Sequence, residues 1–151
     1  MKYDNILKAK FVSRPNRFIA HIDIDGNIET VHVKNTGRCK ELLIPGCSVY
    51  ITESKAKGRK TKYDLVAVEK SNGLLINIDS QTPNKVMKQW LDEQKFDKII
   101  PEYTYGNSRI DFYAEKDLQK YLIEVKGCTL IKNIKGQRFC FRCPFICVYS
   151  I

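Results

Sequence analysis

The stretch YLIEVKGCTL, residues 121–130, sets Glu124 two places ahead of Lys126 inside an otherwise apolar, strand-like run. Alternate residues of a strand share a face, so Glu124 and Lys126 project to one side while Ile123 and Val125 project to the other. Just upstream, SRIDF is patterned the same way, with Ile110 and Phe112 on one face and Arg109, Asp111 and Tyr113 on the other. If the two strands are neighbours, Asp111, Glu124 and Lys126 can converge. Two carboxylates supply the hard oxygen ligands that Mg²⁺ requires. Such an ion polarises a phosphodiester and lowers the pKa of its bound water, and a lysine beside it orients that water or offsets developing negative charge. Spacing alone is a weak signal, because Glu-x-Lys also occurs at Glu53 to Lys55 and at Glu93 to Lys95. A half-exposed surface ion pair, worth about 0 to 1 kcal/mol, explains the spacing equally well. The instance at Glu124 differs in lying within an apolar strand that follows a second acidic one, and both readings stay open on this pattern.

The elements that must position these groups follow from the periodicity. From Arg17 the chain reads RFIAHIDIDGNIETVHV, in which Phe18, Ala20, Ile22 and Ile24 alternate with more polar neighbours up to the turn signal Asp25-Gly26. That pattern predicts a hairpin. Further strands are expected at Ser48 to Glu53, Tyr63 to Glu69 and Leu74 to Asp79, each bounded by turn-forming residues. Five short strands in about eighty residues predict a small barrel. At Thr82-Pro83 the period changes. Threonine suits an N-cap and proline the first helical turn, and Val86, Met87, Trp90 and Leu91 follow at three- and four-residue spacings, predicting an amphipathic helix to about Lys95. Strand-like text resumes in KIIPEYTYG, SRIDFYA and YLIEVKG. The fold class is therefore mixed α+β, with a barrel over residues 1–82 and a second, α/β part over 83–151.

Between two of the barrel's strands lies SKAKGRKTK, carrying Lys55, Lys57, Arg59, Lys60 and Lys62 and no acid. A loop of this kind can track a phosphate backbone, each neutralised phosphate releasing counterions. Arg14, Arg17, Arg38 and Lys40 could extend the track, and Phe18, Tyr50 and Tyr63 could stack on bases; the competing reading is a solvated hairpin tip. His21 and His32, on adjacent expected strands, are read as structural. The formal charge of +9 suggests an anionic partner, nucleic acid above all, although an excess of lysine also serves solubility. No window approaches a membrane span, and MKYDNILKAKF lacks the apolar core of a signal peptide. The expected compartment is the cytoplasm, with no membrane partner and no disulfides among the six cysteines.

Six segments carry a more specific signal: NRF at 16–18, VHVKNTGRCKELLIPG at 31–46, RKTKYDL at 59–65, IDSQTPN at 78–84, PEYTYGNSRIDF at 101–112 and YLIEVKGCTL. In this order they resemble the sugar fermentation stimulation protein A family over about residues 14–130. The resemblance implies an oligonucleotide-binding (OB) type barrel followed by a domain related to PD-(D/E)xK nucleases, and a DNA-binding role as a transcriptional regulator of sugar metabolism. It maps the nuclease-like pattern onto Asp111, Glu124 and Lys126, with Asp111 and Glu124 as ligands of Mg²⁺ and with Glu102 as either a fourth member or a solvated strand end. A Mg²⁺-dependent DNA phosphodiesterase, in an intact relative, is the alternative function.

The last twenty residues, KNIKGQRFCFRCPFICVYSI, differ in texture, and four of the six cysteines lie at Cys128 or later. The resemblance stops near Leu130, where the family continues with a segment containing Phe-Pro-Asp-Ala and then Thr-x-Arg-Gly. One reading of the change is a frameshift, testable from the gene. Phe141-Arg142-Cys143-Pro144 can be encoded TTT AGA TGC CCC, and reading one base later gives Leu-Asp-Ala-Pro. On that expectation the nuclease-like domain is incomplete and catalysis is not expected in this chain, and a truncated product without stable function is a third reading. Cys128, Cys140, Cys143 and Cys147 have spacings that permit a zinc or iron-sulfur site, but no glycine knuckle lies between them, and they are read as accidental.

Overall fold

A computed structural model describes residues 2–54, 56 and 58–127 in full, together with the backbone of three later strands. Contacts divide the chain between Ser80 and Gln81 into two units.

The first unit contains β1 (Ile6–Ser13), β2 (Ile19–Ile24), β3 (Asn27–Val33), β4 (Ser48–Glu53), β5 (Tyr63–Glu69) and β6 (Leu75–Asn77). Their order is β3-β2-β1-β4-β5-β6, and a parallel pairing of β3 with β5 closes the first five into a barrel. This is the OB fold. The β2–β3 hairpin turns on Asp25 and Gly26, at φ 51° and 86°. Both residues therefore take the left-handed region that a two-residue hairpin loop demands, and Asp23 Oδ1 accepts the Gly26 N–H at 2.7 Å. Ala20, Ile22, Val31, Val33, Val49 and Ile51 are fully buried, as strand alternation requires. β5 departs from alternation, with Asp64 to Val68 all buried, because it runs between β3, β4 and β6.

β1 was not among the expected strands, yet it pairs with both β2 and β4. Only Ala9 and Phe11 of its eight residues are buried, so its apolar pattern is too short to stand out. The register of β1 on β2 shifts between Phe11 and Ser13, the kind of irregularity by which a strand bends at a barrel corner.

The second unit contains α1 (Thr82–Glu93), β7 (Lys98–Tyr105), β8 (Ser108–Lys116) and β9 (Gln119–Lys126), followed by β10 (Lys132–Ile134), β11 (Gln137–Phe139) and β12 (Phe145–Ser150). One sheet has the order β12-β9-β8-β7, and β10 pairs with β11. The tail thus returns as a strand along β9, with Cys147 opposite Glu124 and Phe145 opposite Lys126. The four cysteines read as accidental lie outside the described residues, apart from the backbone of Cys147.

The helix corrects two expectations. Its N-cap is Gln81 rather than Thr82, with the proline in the first turn, and it ends at Glu93, Lys95 following at φ 56°. Its buried stripe is Met87 and Leu91, while Val86 and Trp90 are exposed. Met87 and Leu91 pack on Phe112, Ala114, Ile123 and Val125, with Phe96, Ile99 and Tyr121 at the margin. Burying one face of β8 and β9 against α1 in this way leaves their other residues to project elsewhere. Among the described residues no helix is long and apolar enough to cross a membrane.

Candidate nucleic-acid interface and acidic corner

On the barrel the expected phosphate contacts separate into two groups. Arg14 is spent internally. Its Nη1 donates to the carbonyls of Gly37 and Arg38, both at 2.8 Å, and its Nη2 to those of Arg17 at 2.7 Å and Asn35 at 2.6 Å. Arg59 is also spent, its Nη1 donating to Ser54 Oγ at 2.6 Å and its Nη2 to Asp64 Oδ1 at 2.7 Å. Both guanidinium groups expected to contact phosphate are thus engaged within the barrel. The reason is physical: unpaired loop carbonyls and a buried carboxylate both need a donor fork, and a guanidinium supplies one that lysine cannot.

Asp64 is the centre of a network that periodicity did not reveal. It is 3% exposed and faces His32 across the parallel β3–β5 pair. Lys34 Nζ lies 2.7 Å from Asp64 Oδ2 and 3.9 Å from Asp79, the barrel's other buried acid. His32 Nδ1 lies 3.3 Å from Asp64 Oδ1. Burial pushes the Asp64 carboxyl up, but hydrogen bonds from Arg59 and Lys34 outweigh it and hold the group below the ordinary aspartate value. The acid that opens the apolar run YDLVAVE was the available sequence signal.

The second group of cations faces solvent. Arg17, Arg38, Lys40, Lys60 and Lys62 are exposed. Lys62 Nζ stands 5.0 Å over the Tyr63 ring and 3.9 Å from Glu53. Lys55 and Lys57 lie outside the described residues. Of the three aromatic candidates, Tyr50 donates its hydroxyl to Glu69 at 2.9 Å and has Lys8 over its ring, and Tyr63 has Lys62 over its ring. Phe18 is 54% exposed. His21 bonds Ser13 at 3.1 Å and faces Thr30, whereas His32 faces Ile19, so the two histidines belong to separate contacts.

In the second unit, β8 and β9 pair from Lys116 and Gln119 as far as Phe112 and Ile123, which makes Asp111 and Glu124 the next positions. There the Asp111 side chain replaces the ladder. Its Oδ2 accepts the Val125 N–H at 2.7 Å, and its Oδ1 accepts Asn84 Nδ2, from the first turn of α1, at 2.8 Å. Val125 lies between Glu124 and Lys126, which form an ion pair of 2.5 Å. The aspartate is thus bound to the backbone that carries the other two residues. Glu102 joins less directly. Pro101 faces Phe112 and Tyr103 faces Ile110, which sets Glu102 across from Asp111. Its carboxylate, however, pairs with Arg109 at 2.8 Å on the exposed surface. Glu102 has φ 54°, a left-handed conformation that a non-glycine residue adopts at a cost of about 1 kcal/mol or more.

Asn84 and Gly127 are the residues of this corner that sequence reasoning missed. A Cβ built on Gly127 would stand 2.9 Å from Pro83 Cγ, so only glycine lets the end of β9 approach the start of α1 so closely. Gly127→Ala is expected to destabilise the second unit by about 1 to 3 kcal/mol through overpacking. The change should appear as a lower denaturation midpoint in Trp90 fluorescence, and an unchanged midpoint would show that the contact is soft.

Two family models match this chain in succession: the SfsA N-terminal OB domain over residues 12–78 and the sugar fermentation stimulation protein RE domain over residues 81–141. The chain belongs to the sugar fermentation stimulation protein family. The second match reaches residue 141, beyond the point near Leu130 where the resemblance read from the residues ended. Among curated family members, the homolog from Desulfitobacterium hafniense is 56% identical over 133 residues, covering 86% of this chain and 58% of the relative. The homolog from Clostridium beijerinckii is 54% identical over 137 residues, covering 88% and 60%. The chain thus spans about three-fifths of the length of these relatives. A solved structure, Pyrococcus furiosus SfsA in complex with Ca²⁺, superposes with a TM-score of 0.64 at 32% identity, covering 78% of this chain and 52% of that one.

Proposed function

We propose that this member of the sugar fermentation stimulation family binds DNA through its barrel. The observation that carries the proposal is the division of the barrel's arginines. Arg14 spends its donors on loop carbonyls and Arg59 pairs with the buried Asp64, whereas Arg17, Arg38 and Lys60, joined by Lys62 with its exposed 3.9 Å contact to Glu53, present their charge to solvent. They lie on or beside the β1–β2 and β4–β5 loops, apart from Arg38 in the β3–β4 connection, and loops of the first two kinds are where OB folds take oligonucleotides. Contacts to phosphate from such residues give affinity with little sequence selectivity. Titration of labelled single- and double-stranded DNA against the chain tests the reading; no binding of either at low salt overturns it.

A second reading rests on the acidic corner. Among the described residues no three of His, Cys, Asp and Glu gather into a metal cage. Asp111 and Glu124 still fit a hard divalent ion, since Mg²⁺ commonly takes one or two carboxylates and keeps several waters, and each Asp111 oxygen holds one hydrogen bond and retains acceptor capacity. The Ca²⁺ complex of the Pyrococcus furiosus relative points the same way. Asp111 and Glu124 would hold the ion, which when bound supplies Lewis-acid activation of a phosphodiester and its attacking water. Asn84 and the Val125 amide fix the Asp111 carboxylate. Lys126, paired with Glu124, would face the scissile phosphate from the same strand. The expected result is Mg²⁺-dependent nicking of supercoiled plasmid, by this chain or by a full-length relative, that Asp111→Ala abolishes. Absence of nicking from both proteins removes the nuclease reading and leaves DNA binding standing.

A further inference from the structure

The β1–β2 loop is built unlike a flexible tip. Asn16 Oδ1 accepts the N–H of Phe18 at 2.9 Å and that of Ile19 at 3.0 Å, and the Phe18 carbonyl accepts the Val33 N–H at 2.7 Å. The backbone of Phe18 is therefore held at both ends, yet its ring is 54% exposed. The neighbouring β3–β4 connection is equally fixed. Asn35 Oδ1 accepts the Gly37 N–H at 2.8 Å, its Nδ2 donates to the Ile78 carbonyl at 2.9 Å, and a Cβ on Gly37 would meet Asn35 Oδ1 at 2.9 Å. One guanidinium joins the two segments, since Arg14 binds the carbonyls of Arg17 and Arg38 together with those of Asn35 and Gly37. The backbones of Arg17 and Arg38, whose side chains have no partner among the described residues, are thereby tied to the loop that carries the exposed Phe18 ring.

Exposing an aromatic face to water has no advantage for the free protein, and the hydrogen bonds that fix Phe18 do not depend on its side chain. Rigid display of an aromatic platform beside cations matches what an unpaired nucleotide offers, a π-face and a flanking phosphate. A paired base inside a duplex presents no such face. We infer that Arg17, Phe18 and Arg38 form a single-strand subsite, in which an unstacked base lies on Phe18 and the adjoining phosphates are held by the two arginines, with Arg14 as the positioning residue. This deepens the DNA-binding reading and rests on it. The ordering cost is met within the fold before binding, which is the advantage of preorganisation.

The test titrates the full chain with a fluorescein-labelled twelve-nucleotide oligothymidine and with a blunt duplex containing it, at several salt concentrations. Phe18→Ala is expected to weaken the single strand by roughly tenfold or more, to leave the duplex within about twofold, and to leave the salt slope unchanged. Phe18→Trp should restore single-strand affinity. Arg38→Ala should reduce the single-strand slope by about 0.7, the contribution of one phosphate. Salt-dependent binding by the parent chain with no effect of Phe18→Ala, or with equal losses on both DNAs, overturns the subsite and spares the broader reading. Failure of the parent chain to bind either DNA overturns both. Far-ultraviolet circular dichroism of each variant excludes unfolding as the cause of a loss.

Discussion

Asp64→Ala is expected to cost the barrel about 3 to 5 kcal/mol, a large share of the stability of a domain this size. Asp64 is 3% exposed, and removing it strands two cations. Lys34 and Arg59 are themselves only 21% and 26% exposed. A buried ion pair contributes little net stability when intact, because desolvation offsets the attraction, but breaking one side leaves the other charged and dry. Arg59 also holds Ser54 and Thr61, so its release should loosen the β4–β5 loop that presents Lys60 and Lys62. Protection of β3 and β5 amides from hydrogen exchange reads the barrel, and the single tryptophan, Trp90, reads the second unit. A loss under about 1 kcal/mol would show that the network is solvated and carries little.

The same residue sets an acid limit. The folded carboxyl lies below the ordinary value, so the folded barrel binds fewer protons than the unfolded chain across that interval. The stabilisation is fully present above about pH 4, the unfolded aspartate value, and is lost as pH falls through the folded one. Asp64→Asn should lower stability at neutral pH and flatten its decline in acid.

The second large effect is on DNA affinity. Each phosphate neutralised on a duplex contributes about −0.9 to the slope of log affinity against log salt. If Arg17, Arg38, Lys60 and Lys62 make four contacts, the slope is about −3.6, and raising salt fourfold from 50 mM weakens binding by about 150-fold. Lys55 and Lys57 as further contacts would carry the slope to about −5.4 and the loss to about 2,000-fold. Arg14 and Arg59 are left out of this sum because their donors are engaged within the barrel. Replacing Lys60 and Lys62 together by alanine should lower the slope by about 1.8. A slope near zero in the parent chain would be incompatible with a phosphate track.

Sequence alone determined the local pieces. Asp25-Gly26 specified its hairpin because few residue pairs accept two successive left-handed conformations, and the buried alternation of Ala20 and Ile22 or of Val49 and Ile51 is a property of neighbours along the chain. The run at Glu124 was legible for the same reason, down to the Glu124–Lys126 pair on one face. Tertiary structure alone decided which charges are left over. Arg14 and Arg17 look alike in sequence, but Arg14 meets Asn35 across 21 residues, and Asp111 meets Asn84 across 27. Strand β1 shows the same limit, since its place between β2 and β4 depends on pairing rather than on its two buried side chains. Periodicity records which face a residue occupies, whereas the partner that neutralises it comes from a distant segment that only the closed fold brings near.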